Sequence, residues 1–277
     1  TELRPSRTAI LAGDRGFRVV IKGKNFRHNA ALQLNGTPLT GSRVVKESDG
    51  RFKAFVPSKL FQNAGPLAFV VQNPDGAASQ PSTLSALAPN IRVFEPGQIV
   101  AGLTDVKLVL IGDNFRKRMG VTLVAADGTT VEVSPELVRF SSSSRAVVTL
   151  STKKLNKLIS QPGTLNVQAV NRNRAGGVPS VAAQLQVVAP LIDKVAVDTG
   201  QPEGGESQVV IKGKYFRQGA VVQFVKSGGA VLQRDPDSFA HEKLTVTVAS
   251  KKIKGLGQYT VQVLNPGNIV SNAVAPD

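Results

Sequence analysis

Apolar and polar residues alternate with a period of two through most of the chain. Gly65 leads to Leu67, Phe69 and Val71 and then Asn73; Gly163 leads to Leu165, Val167, Ala169 and Asn171; Gly257 leads to Tyr259, Val261, Val263 and Asn265. A period of two sends successive side chains to opposite faces, so each run predicts a half-buried β-strand. Shorter apolar runs end in hairpin dipeptides: Ala31 to Leu34 before Asn35-Gly36, Val121 to Val124 before Asp127-Gly128, and Val221 to Phe224 before Gly228-Gly229. These pairs tolerate the positive φ that tight antiparallel turns require. Asn73-Pro74-Asp75-Gly76 and Asn265-Pro266-Gly267-Asn268 predict further turns, and the stretch Asn171 to Gly177 replaces them in the middle of the chain.

A threefold block organises the pattern. Ile21-Lys22-Gly23-Lys24-Asn25-Phe26-Arg27 returns as Leu110-Ile111-Gly112-Asp113-Asn114-Phe115-Arg116 and as Ile211-Lys212-Gly213-Lys214-Tyr215-Phe216-Arg217, with glycines 89 and 101 residues apart. That spacing is one small domain. It divides the chain into 1–88, 89–188 and 189–277, each an antiparallel β-sandwich of about seven short strands. Residues Lys153 to Ile159 are expected to add one helical turn. The joints read Ala88-Pro89-Asn90-Ile91 and Ala189-Pro190-Leu191-Ile192, and proline restricts itself and its predecessor, so they should be short and stiff. Thr1 to Pro5 enter the first unit without the Ala-Pro-x-Ile lead, so an incomplete first strand is expected there; the rival reading is that the ends of successive subunits meet.

The chain has 26 glycines and 16 prolines, which agrees with many short strands and turns, and its 277 residues leave each unit long enough to bury a core. The absence of cysteine excludes disulfides, thiol nucleophiles and thiolate metal sites. It also fits bacterial export, and a leader is expected to have been removed ahead of Thr1. The net charge of +15 is uneven: +7 in residues 1–88, +6 in 89–188 and +2 in 189–277. Attraction for anionic polymers or surfaces should therefore be concentrated in the first two units.

Ile-x-Gly-x-Asn-Phe, a later Gly-x-Tyr-x-Val-x-Val-x-Asn-Pro-x-Gly and a closing Ser-Asn-Ala-Val resemble the IPT/TIG repeat of bacterial cell-surface type. The third unit, Gly257 to Val274, fits best; the first matches through Gly76, and the second lacks the Asn-Pro-x-Gly turn. The resemblance implies an early-set immunoglobulin-like sandwich, so the expected fold class is all-β with three tandem immunoglobulin-like domains. It does not specify function, because modules of that family serve surface proteins, enzyme accessory units, receptor ectodomains and Rel-type transcription factors.

No catalytic constellation emerges. His28 and His241 are the only histidines, and His241-Glu242 continues into Lys243-Leu244-Thr245 with no second histidine, which excludes the zinc-protease helix. Asp235, Asp237 and Glu242 invite a calcium or paired-carboxylate reading, but Pro236 separates the aspartates and no calcium-loop spacing follows. Gly23 is no phosphate loop, since no Gly-Lys-Ser/Thr follows; the block's glycine and phenylalanine are expected to be scaffold, and Tyr259 a packing or corner tyrosine. No catalytic residue, metal ligand or cofactor is therefore expected.

Basic positions recur instead. Arg27, Arg116 and Arg217 each follow the core phenylalanine, and a second set comprises Lys59, then Lys153 and Lys154, then Lys251, Lys252 and Lys254. Together they are candidate contacts for a polyanion or a protein partner. With no tryptophan and only two tyrosines, the chain argues against single-stranded nucleic acid, and sugar stacking also lacks aromatics. The expectation is a non-enzymatic extracellular or bacterial surface protein, structural or adhesive, forming a semi-rigid stalk, spacer or assembly subunit. Its partners would be itself end to end, or other surface proteins. The rivals are binding of an acidic polysaccharide and, behind it, nucleic acid binding.

Overall fold

The computed structural model describes residues 1–40, 44–173, 176–198 and 205–277. It is an array of three β-sandwiches, each formed around one of the three hydrophobic cores. The first contains β1 (Glu2–Pro5), β2 (Ile10–Leu11), β3 (Phe17–Lys22), β4 (Ala31–Leu34), β5 (Thr37–Leu39), β6 (Val44–Ser48), β7 (Arg51–Val56), β8 (Gly65–Gln72) and β9 (Ser82–Leu87). One sheet runs β1-β3-β7-β6 and the other β2-β9-β8-β4-β5.

The second sandwich repeats this plan with β10 (Asn90–Glu95), β11 (Gln98–Val100), β12 (Val106–Asp113), β13 (Gly120–Ala125), β14 (Thr130–Val133), β15 (Val138–Ser142), β16 (Arg145–Leu150), β17 (Gly163–Asn171), β18 (Val178–Pro179) and β19 (Ala183–Val188). Its sheets are β10-β12-β16-β15 and β11-β19-β17-β13-β14, with β18 paired to β17. The third holds β20 (Leu191–Val197), β21 (Glu206–Lys214), β22 (Val221–Lys226), β23 (Val231–Arg234), β24 (Ser238–Ala240), β25 (Lys243–Ala249), β26 (Tyr259–Asn265) and β27 (Ile269–Val270). They form β20-β21-β25-β24 and β23-β22-β26-β27. The first strand of each unit pairs antiparallel with the strand that carries the block. In the first two units a short strand then crosses to pair parallel with the unit's last strand, Ile10 beside Ala86 and Gln98 beside Gln186. Such crossing joins two otherwise antiparallel sheets into the immunoglobulin-like arrangement.

The period-two strands behave as their pattern predicts. Leu67, Phe69 and Val71, their counterparts Leu165, Val167 and Ala169, and Val261 and Val263 are buried. Asn35-Gly36 closes a two-residue hairpin between Leu34 and Thr37. Lys153–Leu158 form the expected helical turn, α1, with the Thr152 side chain capping Leu155. The third unit has a helix at the same place, α2 (Ser250–Leu256), which its glycine and lysine content had hidden. The first unit has only a 3-10 turn there, Ser58–Leu60.

Phe26, Phe115 and Phe216 are buried, and the block's glycine makes room for them. A Cβ at Gly112 would lie 1.8 Å from the Asn90 carbonyl oxygen and 2.9 Å from Phe115 Cζ; at Gly213 the corresponding distances are 2.0 Å to Leu191 O and 2.6 Å to Phe216 Cζ. The glycine thus lets the first strand and the ring close on one spot. Gly112→Ala should destabilise the second sandwich by about 3 kcal/mol, because neither backbone nor packed ring can yield cheaply. Gly163→Ala, where a Cβ meets open space, should change stability by less than about 0.5 kcal/mol. Calorimetric unfolding of both variants checks this, and a Gly112→Ala transition at the parent temperature would contradict it.

Candidate functional site

The repeated arginine is aimed by its own loop. In the first unit Asn73 Nδ2 donates to the Asn25 carbonyl at 3.1 Å while Asn73 Oδ1 accepts from the Arg27 backbone N–H at 3.0 Å. Asn265 does the same in the third, with 2.9 Å to Tyr215 O and 3.0 Å from Arg217 N. In the second, Asn171 Nδ2 donates to Asn114 O at 2.7 Å. The residue two before each arginine sits in the left-handed region: Asn25 at φ 60°, Asn114 at 60° and Tyr215 at 65°. Asparagine takes that conformation at little cost, whereas tyrosine pays about 1 kcal/mol. Tyr215 has a compensating contact, since its hydroxyl accepts a hydrogen bond from Gln98 Nε2 of the preceding unit.

Arg116 and Arg217 lie at the joints. Arg116 Nη2 is 2.8 Å from Asp14 Oδ1 of the first unit, with the two side chains only 27% and 21% exposed. Asp14 also receives Arg7 Nη1 at 2.8 Å. Arg217 Nη1 donates at 3.3 Å to Ala101 O of the second unit and at 3.4 Å to Pro266 O. Arg27 has no such partner unit within the described residues and instead pairs with Asp75 at 2.9 Å, remaining 65% exposed.

Each joint also has an apolar plug. Val178 belongs to the second unit but packs into the first core, and Ile269 of the third packs into the second core. Both lie on the hairpin after the central asparagine, two residues before Ser180 and Ser271 are reached by that hairpin's hydrogen bonds. The equivalent residue of the first unit, two before Ser79, is Ala77, small and exposed. Ile269 packs against the turn Ala101-Gly102, whose counterpart in the first unit is Ala12-Gly13. Gly13 N donates to Phe61 O and Gly102 N to Ile159 O, both at 2.7 Å. Both glycines have positive φ (69° and 73°), and a Cβ on Gly102 would lie 2.7 Å from Ile269 Cδ1 and 2.8 Å from Arg217 Nη1. On Gly13 it would lie 2.0 Å from Asn173 Nδ2. The third unit's corresponding turn lies outside the described residues.

The lysines occupy a different end of each unit from its own arginine. Lys59, Lys153, Lys154, Lys251, Lys252 and Lys254 are exposed on the helical turns that precede the central strand, whereas the arginine is bound at that strand's far end. In the second and third units the turn flanks a cleft, of about 500 Å³ beside Lys154 and Lys157 and about 750 Å³ beside Lys226 and Lys254. Tyr259 lines the latter with its ring centroid 5.8 Å from Phe224, and burial raises its phenol above the ordinary value. Arginine and lysines of one unit therefore lie at opposite ends of its central strand and are not brought together within it.

His28 is exposed in a loop, and His241 Nδ1 lies 2.9 Å from Phe216 O with its ring edge-on to Phe239. Asp235 and Asp237 fall between β23 and β24. Among the described residues no three histidine or carboxylate side chains gather as a metal would require, and no helix is long and apolar enough to cross a membrane.

No protein-family model and no curated protein matches the chain. Solved structures similar to it include the I9–I11 tandem of titin (11% identity, 99% of this chain and 98% of that one, TM-score 0.34). A tetra-tandem repeat from the extending region of a large adhesion protein aligns at 15% identity over 99% and 73%, with a TM-score of 0.27. SGBP-B of a Bacteroides ovatus mixed-linkage glucan utilization locus, in complex with a mixed-linkage heptasaccharide, aligns at 14% over 97% and 68%, with a TM-score of 0.25. The assignment of the fold rests on the strand order above: tandem immunoglobulin-like sandwiches.

The sequence did not single out Asp14, Val178, Ile269 or the Gly13 and Gly102 turns. The available signal was a second repeat, Ile10-Leu11-Ala12-Gly13 against Ile99-Val100-Ala101-Gly102. A double-mutant cycle on Asp14→Ala and Arg116→Ala should give a coupling of about 1 kcal/mol in low salt. Because the pair is only partly buried, the coupling should shrink in 1 M salt. Thermal unfolding of the four proteins at both salt concentrations measures it, and a zero coupling at low salt would remove the ion pair from the joint's energetics.

Proposed function

We propose that this chain is a non-enzymatic extracellular rod, a stalk or spacer whose job is to hold length and orientation at a bacterial surface. Its units are 1–88, 89–188 and 189–277, and we assign them to the IPT/TIG type on the strength of the Ile-x-Gly-x-Asn-Phe block. The observation that carries the reading is the repeated joint. At both junctions a β-branched plug enters the preceding core, an arginine reaches back to that unit, and a glycine turn of that unit lies against the incoming residues, Asn173 at Gly13 and Ile269 with Arg217 at Gly102. Interfaces between domains that merely adjoin are polar and leave the domains free to swing, whereas a plug sharing its neighbour's core resists bending. Short proline linkers without a Gly/Ser-rich segment act in the same direction.

The same comparison favours a spacer over a polymer built by repeating this joint. A further copy docked ahead of the first unit would meet exposed Ala77 in place of a plug, and Arg27 already paired with Asp75. Partners would then be other surface proteins or glycans engaged along the sides. A second reading, attraction of polyanions, is supported by the exposed lysines of the helical turns.

Fluorophores placed on the first and third units should report a narrow distance distribution in the parent protein. Val178→Ala together with Ile269→Ala installs the side chain the first unit already carries at that position, and should broaden the distribution with each sandwich still folded. A broad distribution in the parent would overturn the rod. An equally narrow one in the variant would show that the plugs do not stiffen it.

A further inference from the structure

Of the twelve phenylalanines, Phe55 alone is exposed, at 41%. It lies on the outer face of the β1-β3-β7-β6 sheet, directly across from Arg18 in the β3–β7 ladder, with Val20 opposite Lys53 one step on. Val45, 54% exposed, stands opposite Lys53 from β6. These residues line a shallow groove of about 360 Å³ together with the backbone of Val19 and Ala54. The groove thus has an apolar floor and a cationic rim.

The ring is held in place. A Cβ on Gly16 would lie 2.3 Å from Phe55 Cζ and 3.0 Å from Phe55 Cε1, so the phenyl edge rests against the backbone of Gly16. The side chain of Arg18 has no partner among the described residues, whereas Lys53 shares Glu47 with Arg51. The free guanidinium is therefore the available charge beside a preorganised aromatic face.

The other two units supply an internal control. In the matching ladders Lys107 lies across from Thr149 and Gln208 across from Thr247, so threonine stands where the first unit has Phe55. Two residues before Lys107 and Gln208, as Gly16 is two before Arg18, stand Asp105 and Glu206. The first unit alone pairs an outward phenylalanine with a glycine beneath it, and at the same place it lacks the carboxylate that its siblings carry. Scaffold requirements cannot account for this, because two copies of the scaffold fold without it.

We infer that this groove on the first unit is a binding site for an acidic polysaccharide. The apolar face of a sugar ring would lie on Phe55, and a carboxylate or sulfate would pair with Arg18, with Lys53 as a second cation. A phenyl ring takes the C–H face of a pyranose as apolar surface, and guanidinium suits a planar carboxylate. Duplex DNA or an acidic peptide would use the charge without needing a fixed ring in this position. The site is independent of joint stiffness, so its failure would leave the rod untouched, and failure of the rod would leave the site untouched.

The test is binding of the whole chain to polygalacturonate and to heparin, with dextran as the neutral polymer and polyglutamate and duplex DNA as the other polyanions. The variants Phe55→Thr and Arg18→Gln carry residues their sibling units already hold, and circular dichroism confirms that they fold. Phe55→Thr should weaken binding to the acidic polysaccharides about tenfold with an unchanged dependence on salt. Arg18→Gln should weaken it similarly and make that dependence shallower. Preference for polygalacturonate over heparin, or the reverse, identifies the anionic group as carboxylate or sulfate, and either supports the site. It is overturned if Phe55→Thr binds like the parent, if dextran binds as well as the acidic polymers, or if polyglutamate or DNA loses as much affinity on Phe55→Thr as the polysaccharides do.

Discussion

The side-chain amide of one asparagine per unit is the contact on which the rest of this molecule hangs. Asn73 and Asn265 sit at the ends of their central strands and bind both a carbonyl and an N–H of the loop after the block. Those backbone groups lie at a sharp left-handed bend outside the strand ladders, and each bond to the amide is worth about 0.5–1.5 kcal/mol. The amide also fixes the direction in which the next residue, always arginine, leaves the loop. Asn171 holds only the carbonyl side, and its Oδ1 is buried without a partner among the described residues. The joint between the first and second units is therefore the one whose loop is less completely tied.

From that loop the inter-unit architecture follows. A bend fixed relative to the central strand is also fixed relative to the hairpin that continues from it, so arginine and plug leave a unit as one rigid feature. The receiving turn is tied just as tightly, by the hydrogen bonds from Gly13 to Phe61 and from Gly102 to Ile159. Neither side needs to reorganise to meet the other, and little conformational entropy remains to be lost at the joint. The two joints use one geometry with different chemistry: an ion pair at Arg116 and Asp14, a guanidinium-to-carbonyl bond at Arg217 and Ala101.

Much of this was legible in the chain. Period-two runs ending in asparagine specify a half-buried strand regardless of context, and a threefold block specifies a tandem array, so sandwich and repeat could be read directly. The role of Gly112 and Phe115 was legible for the same reason, because only packing explains a small and a large residue at fixed separation. What Arg116 and Arg217 touch was not. Their partners lie about a hundred residues earlier, and a surface arginine that pairs with Asp14 has the same local sequence as one that faces solvent. Val178 was hidden because it follows the one turn in which the second unit departs from its siblings. Phe55 was hidden by adjacency: in Phe52-Lys53-Ala54-Phe55-Val56 the inward set is Phe52, Ala54 and Val56, yet Phe55 next to Val56 is equally apolar, and only the ladder tells which one faces out.

A tandem array separates the residues a fold requires from the residues one copy has acquired. Positions that all three units share, such as the buried phenylalanine and the serine two residues after Ala77, Val178 and Ile269, answer to the common scaffold and carry no information about a particular partner. The arginine after the phenylalanine belongs to the same group once it is seen at a joint, since a joint is also something the array repeats. Function specific to this chain must lie where one copy differs from the others at an exposed position and where the difference involves more than one residue. Gly16 and Phe55 meet that condition. Gly16 stands just ahead of β3 and Phe55 on β7; they contact each other directly and are replaced together in both siblings by an acidic residue and a threonine. A single exposed phenylalanine is compatible with drift, but a ring whose position requires the absence of a Cβ at the entry to the neighbouring strand is a built feature.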